Sequence, residues 1–170
     1  MRYRRENLEG ASYFFTVTLE NRTTSLLTDH IDFLRKAFIT VKRNHPFIVD
    51  AIVILPEHLH TLWTLPENDA EFATRWMLIK GYFSRQLPHN ERVGPSRLRK
   101  GERGIWLRRY WEHRIRDEAD WQTHVDYIHF NPVKHGHTHR PADWPFSSFH
   151  NHVRRGLLPQ DWRATGVSSP

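Results

Sequence analysis

The chain predicts an α+β fold of ferredoxin-like type, a βαββαβ sandwich in which helices cover an antiparallel sheet. Two observations carry this expectation. Apolar residues alternate with period two in short stretches and recur at helical spacing in longer ones, in the order strand, helix, strand, strand, helix, strand, helix. The second and third strands are separated only by Pro56-Glu57, too little for a crossover, so they pair as an antiparallel hairpin. A length of 170 residues suits one domain, with a core over residues 1–134 and a C-terminal tail over 135–170 that packs back on it through an extra helix.

Each element has a local cause. In Ser12–Leu19, Phe15, Val17 and Leu19 alternate with Thr16 and Thr18, which is strand patterning. Asn21-Arg22-Thr23-Thr24 is a turn, and Thr28 or Asp29 is the expected N-cap of a helix carrying Ile31, Leu34, Ala37, Phe38 and Val41 on one face. His45-Pro46 ends it. Phe47–Leu55 and Leu59–Leu65 are the hairpin strands, and a second helix over Ala70–Leu87 presents Phe72, Trp76, Ile79 and Phe83. Residues 88–109 are rich in Arg and Gly and predict a mobile basic loop. Tyr110–Ile115 is the fourth strand. Asp117, with Asp120 three residues on, resembles a capping box for a third helix that the proline rule ends near Pro132. A short helix is expected near Ser147–Arg155 in the tail.

Composition narrows the function. A formal charge of +6 and a pI near 10.0 favour polyanionic partners, above all nucleic acid. The absence of Cys excludes disulfides, thiolate catalysis and Cys-ligated zinc. No apolar run reaches the ~18 residues that span a membrane, and the N-terminal Met1-Arg2-Tyr3-Arg4-Arg5-Glu6 lacks the apolar stretch of a signal peptide, so a cytoplasmic location is expected.

Three constellations could carry chemistry. In Pro56-Glu57-His58-Leu59-His60, residues two apart on a strand share a face, so His58 and His60 project together and can chelate one metal ion. In a chain with thirteen His, the same pair also describes two histidines on a polar sheet face. Other His-x-His enzymes fit poorly: a barrel needs a longer chain, a histidine-triad hydrolase wants a third alternating His where Leu62 stands, and no second His-x-Ser/Thr strand is present. On the third helix, Trp121, Val125 and Ile128 form an apolar face, and His124, Tyr127 and Asn131 a polar one beside it. Tyr127 is either a nucleophile with an amide one turn later or a boundary residue that packs its ring and wets its hydroxyl. Basic groups with interleaved aromatics at Arg2–Arg5, Arg92–Arg109 and Lys134–Arg140 could bind and stack nucleic acid, or form an ordinary solvated surface.

Taken together, the chain resembles a known family. Leu55-Pro56-Glu57-His58-Leu59-His60, Trp111-Glu112-His113-Arg114-Ile115-Arg116, Asp126-Tyr127-Ile128-His129-Phe130-Asn131-Pro132-Val133-Lys134-His135-Gly136, Asp143-Trp144-Pro145-Phe146-Ser147-Ser148 and Tyr3-Arg4-Arg5 are similar, in the same order, to motifs of the REP-associated tyrosine transposases. These are single-tyrosine members of the His-hydrophobic-His endonucleases. The resemblance implies a Mg²⁺- or Mn²⁺-dependent transesterase that cuts and rejoins single-stranded DNA beside palindromic hairpins. It implies His58 and His60 as metal ligands, Tyr127 as nucleophile and Asn131 as the polar residue assisting at the metal. The implied product is a 5′-phosphotyrosine link with a free 3′-OH. Arg4, Arg5, Arg108, Arg109 and Lys134 are the candidate DNA contacts, and the protein is expected to act as a monomer or homodimer. The competing expectation is a non-catalytic ferredoxin-like module that binds single-stranded or hairpin nucleic acid.

Overall fold

The computed structural model describes residues 8–164 and Pro170; Arg4 and Arg5 lie outside the described residues. Four strands form one sheet: β1 (Ser12–Thr18), β2 (Ile48–Ile54), β3 (His58–Thr64) and β4 (Trp111–Arg114). Their order is β2-β3-β1-β4 and every neighbouring pair is antiparallel, which is the ferredoxin-like arrangement the sequence predicts. The helices are α1 (Leu26–Asp29), α2 (Ile31–Asn44), α3 (Phe72–Arg85), α4 (Pro95–Arg99), α5 (Glu118–Lys134) and α6 (Phe149–Arg154).

The sheet is covered on both faces, so β3 is buried at every position but its last although it carries His58, His60 and Thr61. One face holds the larger core. Phe15, Val17, Leu59 and Trp63 meet Leu34, Phe38 and Val41 of α2 and Trp76, Ile79 and Phe83 of α3. Trp63 and Trp76 stack at its centre, with ring centroids 4.3 Å apart. The other face packs Phe14, Ala51, Val53 and Leu62 against Val125 and Ile128 of α5. The period-two alternation of β3 therefore sends Leu59 and Trp63 to one layer, and His58, His60 and Leu62 to the layer shared with α5.

Four expectations need correction. The expected N-cap at Thr28 or Asp29 lies inside a separate turn of helix, α1; α2 begins at Ile31 after His30, with no side-chain cap. This extra turn has a use, because Leu27 N–H donates to Pro56 O and so pins the β2–β3 corner. The basic segment is not a free loop. It contains α4, and Arg103 donates to both carboxylate oxygens of Glu91 and to the carbonyls of Ser84, Leu87 and Pro88, while Arg97 pairs with Glu20 and Glu102. Ile105 and Trp106 anchor the segment in the larger core. Arg97, Arg103 and Arg108 are thus spent on groups of the chain itself. Third, α5 does not end at Pro132 but runs through it to Lys134, and His135 N–H donates to Asn131 O at 3.0 Å. Proline removes only the bond to the carbonyl of Ile128, and the turn beyond it survives with Pro132 itself buried. Fourth, Asp117 caps α5 by accepting from Asp120 N–H, but Asp120 answers Arg116 N–H instead of its own cap, so the capping box is not reciprocal.

The tail closes the sheet edge. Phe146 O accepts from Ile54 N–H and Ser148 N–H donates to Ile52 O, so Phe146–Ser148 bridges β2 along its outer side. Trp144 Nε1 donates to Ile54 O, and Ser148 Oγ accepts from Ile52 N–H while lying 2.8 Å from His129 Nε2 of α5.

Candidate active site

The corner between β2 and β3 is a tight one. Leu55 N–H donates to His58 O across Pro56-Glu57, and Leu19 N–H donates to Glu57 O, so the turn is held from inside and outside. His58 therefore starts β3 in a fixed orientation, and His60 follows on the same face, the two rings 4.9 Å apart. Both are buried, at 4% exposure each. Each has a partner on Nδ1: Glu57 Oε1 at 2.7 Å from His58, and Thr16 Oγ1 at 2.8 Å from His60. A partner that accepts from Nδ1 leaves Nε2 as the free lone pair, which is how second-layer groups orient imidazole ligands. Burial holds His60 well below the usual histidine pKa, and the neighbouring His58, His135 and Lys134 act in the same direction. Burial also lowers His58, against the opposing pull of Glu57. Both rings are therefore neutral near pH 7, the form in which imidazole binds metal.

Across from them stands α5. The ring of Tyr127 lies edge-on to His60, centroids 5.2 Å apart, and edge-on to Phe14 at 6.0 Å. Lys134, two turns later, places Nζ 4.7 Å over the Tyr127 ring and donates to its hydroxyl at 3.5 Å. Asn131 is fully buried, and neither its Oδ1 nor its Nδ2 has a hydrogen-bond partner among the described residues; His60 Nε2 is in the same condition. Buried polar atoms without partners are costly. These atoms lie on β3 and α5, the two elements that carry the expected site residues. His135, just past the end of α5, completes the set: ligand atoms of His58, His60 and His135 all lie within 4.8 Å of one another. Three neutral imidazoles with an orphaned Nε2 fit a divalent cation.

Several of these residues escape sequence reasoning. His135 falls beyond the proline expected to end the helix, on the tail side of the boundary drawn after Lys134. Glu57 and Thr16 reach the histidines only through the turn and through the register that sets Thr16 against His60. Among the expected DNA contacts, Lys134 lies at Tyr127. Arg108 is tied to Glu102 and Ser96 in the segment that packs on α3, and Arg109 is exposed beside it.

No protein-family model matches the chain. It is 48% identical over 94% of its length to the REP-associated tyrosine transposase of Escherichia coli K12, spanning 89% of that protein. The chain belongs to the REP-associated tyrosine transposases. A Haemophilus influenzae relative is as similar, 48% identical over 94% of this chain and 92% of its own length. A solved REP-associated tyrosine transposase bound to a REP hairpin superposes with a TM-score of 0.87 at 47% identity, covering 99% of this chain and 94% of that one. A tyrosine transposase needs a tyrosine beside groups that can bear phosphate charge. Of the tyrosines among the described residues, Tyr13, Tyr82 and Tyr110 pack with the larger core on the opposite face. Tyr127 is in ring contact with His60 of the histidine set.

Proposed function

We propose that this transposase cuts and rejoins single-stranded DNA at REP-type hairpins, with Tyr127 as nucleophile and Mg²⁺ or Mn²⁺ held by His58 and His60. His135, whose ligand atom lies within 4.8 Å of theirs, and Asn131, one turn past Tyr127 on α5, are the further candidate donors. The observation that carries this reading is the contact between Tyr127 and His60, whose buried Nε2 has no partner among the described residues. The hairpin-bound relative supports the choice of substrate. A DNA substrate places the work at the nucleoid. No helix among the described residues is long and apolar enough to cross a membrane.

A divalent cation at this site would polarise the scissile phosphate and offset the charge that gathers on its oxygens. The chain supplies the rest. The Tyr127 ring rests edge-on against both Phe14 and His60, which limits the directions its hydroxyl can take. Lys134 Nζ, 3.5 Å from that hydroxyl, brings a positive charge to the phenolate and to the phosphate it attacks. Tyr127 Oη gives up its proton and bonds to phosphorus; the bond to the 3′ oxygen breaks, and that oxygen leaves as a free 3′-OH. The 5′-phosphotyrosine keeps the ester's energy, so attack by another 3′-OH reseals DNA without a nucleotide cofactor.

The test is direct. Incubated with a labelled REP hairpin and Mn²⁺, the wild type forms a heat-stable, denaturant-resistant adduct. Tyr127→Phe binds the hairpin but forms none, and chelator abolishes the adduct in the wild type. An adduct that persists in Tyr127→Phe would falsify the nucleophile assignment.

A further inference from the structure

On the side of Tyr127 away from His58 and His135, the same sheet face opens into a cavity of about 590 Å³. Its walls come from β1, β4, the turn that follows β4, α5 and the C-terminal Pro170, and include Phe14, Trp111, His113, Arg116, His124 and Tyr127. The registers place them. Thr16 pairs with His60 on one side and Trp111 on the other, and Phe14 pairs with His113, so Trp111 and His113 stand on the face that carries the histidine set. A row of rings crosses the sheet beneath α5: His60 to Phe14 at 5.6 Å, Phe14 to His124 at 4.7 Å, His124 to His113 at 4.7 Å. Tyr127 touches this row at both His60 and Phe14 and also lines the cavity, so one side chain adjoins the histidine set and the cavity alike.

The cavity floor is rigid. Asp120 is the clamp: its Oδ2 lies 2.8 Å from His113 Nε2 and accepts from Arg116 N–H, and its backbone carbonyl lies 2.7 Å from His124 Nδ1. The His113 and His124 rings are held in a stack with 14° between their planes. Thr123 donates its hydroxyl to Ala119 O. Asp120, His113, His124 and Thr123 are thus bonded within the wall and α5, and beside these polar groups the cavity presents the rings of Phe14, Trp111 and Tyr127. Among the rings of the wall, Trp111 is the exposed one. It sits on the edge strand at 60% exposure, a large apolar ring left in water at the mouth of a cavity that opens on the nucleophile. The Arg116 side chain, 70% exposed, stands at the same rim.

We propose that this cavity seats a nucleobase next to the scissile phosphate, stacked on Trp111, with Arg116 toward the adjoining phosphate. The inference rests on the reading of Tyr127 as nucleophile. Attack fixes one phosphate at Tyr127 Oη, so the strand must leave that point toward the histidine set on one side and toward the cavity on the other. Every base has a π face, and base–aromatic stacking is tolerant of sequence. Because the wall's polar edges bond each other, the seat selects for the presence of a base more than for its identity. Stacking also orders the strand on one side of the reacting phosphate.

The experiment uses the full chain and a REP hairpin oligonucleotide with 2-aminopurine placed in turn at each unpaired nucleotide. Binding quenches the fluorescence strongly at one position. Trp111→Ala, a change at an exposed site, restores it, and Trp111→Phe keeps most of the quench. Tyr127→Phe, which forms no adduct, leaves the quench intact. An abasic residue at that position slows adduct formation by the wild type on the order of tenfold, more than any change of base there. The proposal is overturned if no position shows Trp111-dependent quenching, or if the abasic substitution is silent. Adduct formation on the unmodified hairpin is scored in parallel. Its absence sinks the nucleophile reading, whereas an adduct with Trp111-independent fluorescence sinks the base seat alone.

Discussion

At the scale of single residues, the site depends on groups that hold the candidate ligands as much as on the ligands. Glu57 accepts from His58 Nδ1–H and fixes which nitrogen faces inward. Glu57→Ala is expected to weaken Mn²⁺ binding by roughly 10- to 100-fold, with Glu57→Gln, which keeps the acceptor, recovering most of it; calorimetric titration reads both. An alanine variant that binds as tightly as wild type would remove Glu57 from any positioning role. Asn131 makes the opposite kind of case. Its amide is buried with no partner for either polar atom among the described residues, so without metal it is a liability. Asn131→Leu, close in shape, should raise the stability of the metal-free protein by about 1 kcal/mol while lowering Mn²⁺ affinity. Chemical denaturation in chelator and titration in its absence give the two signs, and unchanged metal affinity would strip Asn131 of its proposed role.

At the scale of elements, the segment between α3 and β4 is organised by Arg103 and Glu91. The hydrogen bond from Arg103 is the main reason the Glu91 carboxyl falls from 4.5 to about 2. A carboxylate whose pKa is lower in the folded chain contributes stability that is complete above the unfolded value and fades as pH falls through the folded one. The segment should therefore loosen between 4.5 and about 2, not at neutral pH. Hydrogen exchange over residues 88–104, corrected for intrinsic rates, is expected to accelerate in that window, and Glu91→Gln should show the loosened behaviour already at pH 7. Equal protection at both ends of the window would mean that Ile105 and Trp106, not the ion pair, hold the segment. This element also shows where local reading fails. Its Arg and Gly content is that of a mobile basic loop, but Glu91 and Glu102 within the segment pair with its arginines, and Glu20, distant in sequence, is brought to Arg97 by the fold.

At the scale of the whole molecule, α5 is held to the sheet by contacts from the tail. Ser148 Oγ accepts from Ile52 N–H and meets His129 Nε2, joining β2, α5 and the tail at one atom. Ser148→Ala leaves both buried partners unsatisfied and should cost about 2 kcal/mol in urea unfolding. A cost within error of zero would show that water replaces the hydroxyl freely. Removal of the chain beyond Asp143 would also strip the bridge that covers the outer edge of β2 and leave its backbone groups open to pairing with other chains; light scattering should report association of the truncated protein.

The two periodicities of the backbone were enough to read the fold. Alternation put His58 and His60 on one face, and helical spacing put Tyr127 and Asn131 on one side of α5, because these are properties of neighbours along the chain. The short Pro56-Glu57 link likewise settled the hairpin. What only the tertiary structure decided is how separate elements meet: that β3 and α5 share a layer, that Tyr127 lies against His60, that His135 joins the histidines past a proline which does not stop the helix, and that Trp111 is left exposed beside the nucleophile. These contacts depend on strand order, on register across the sheet and on which face each helix covers. Those are set by burial of the two apolar layers as a whole, a sum over distant residues that no local pattern records.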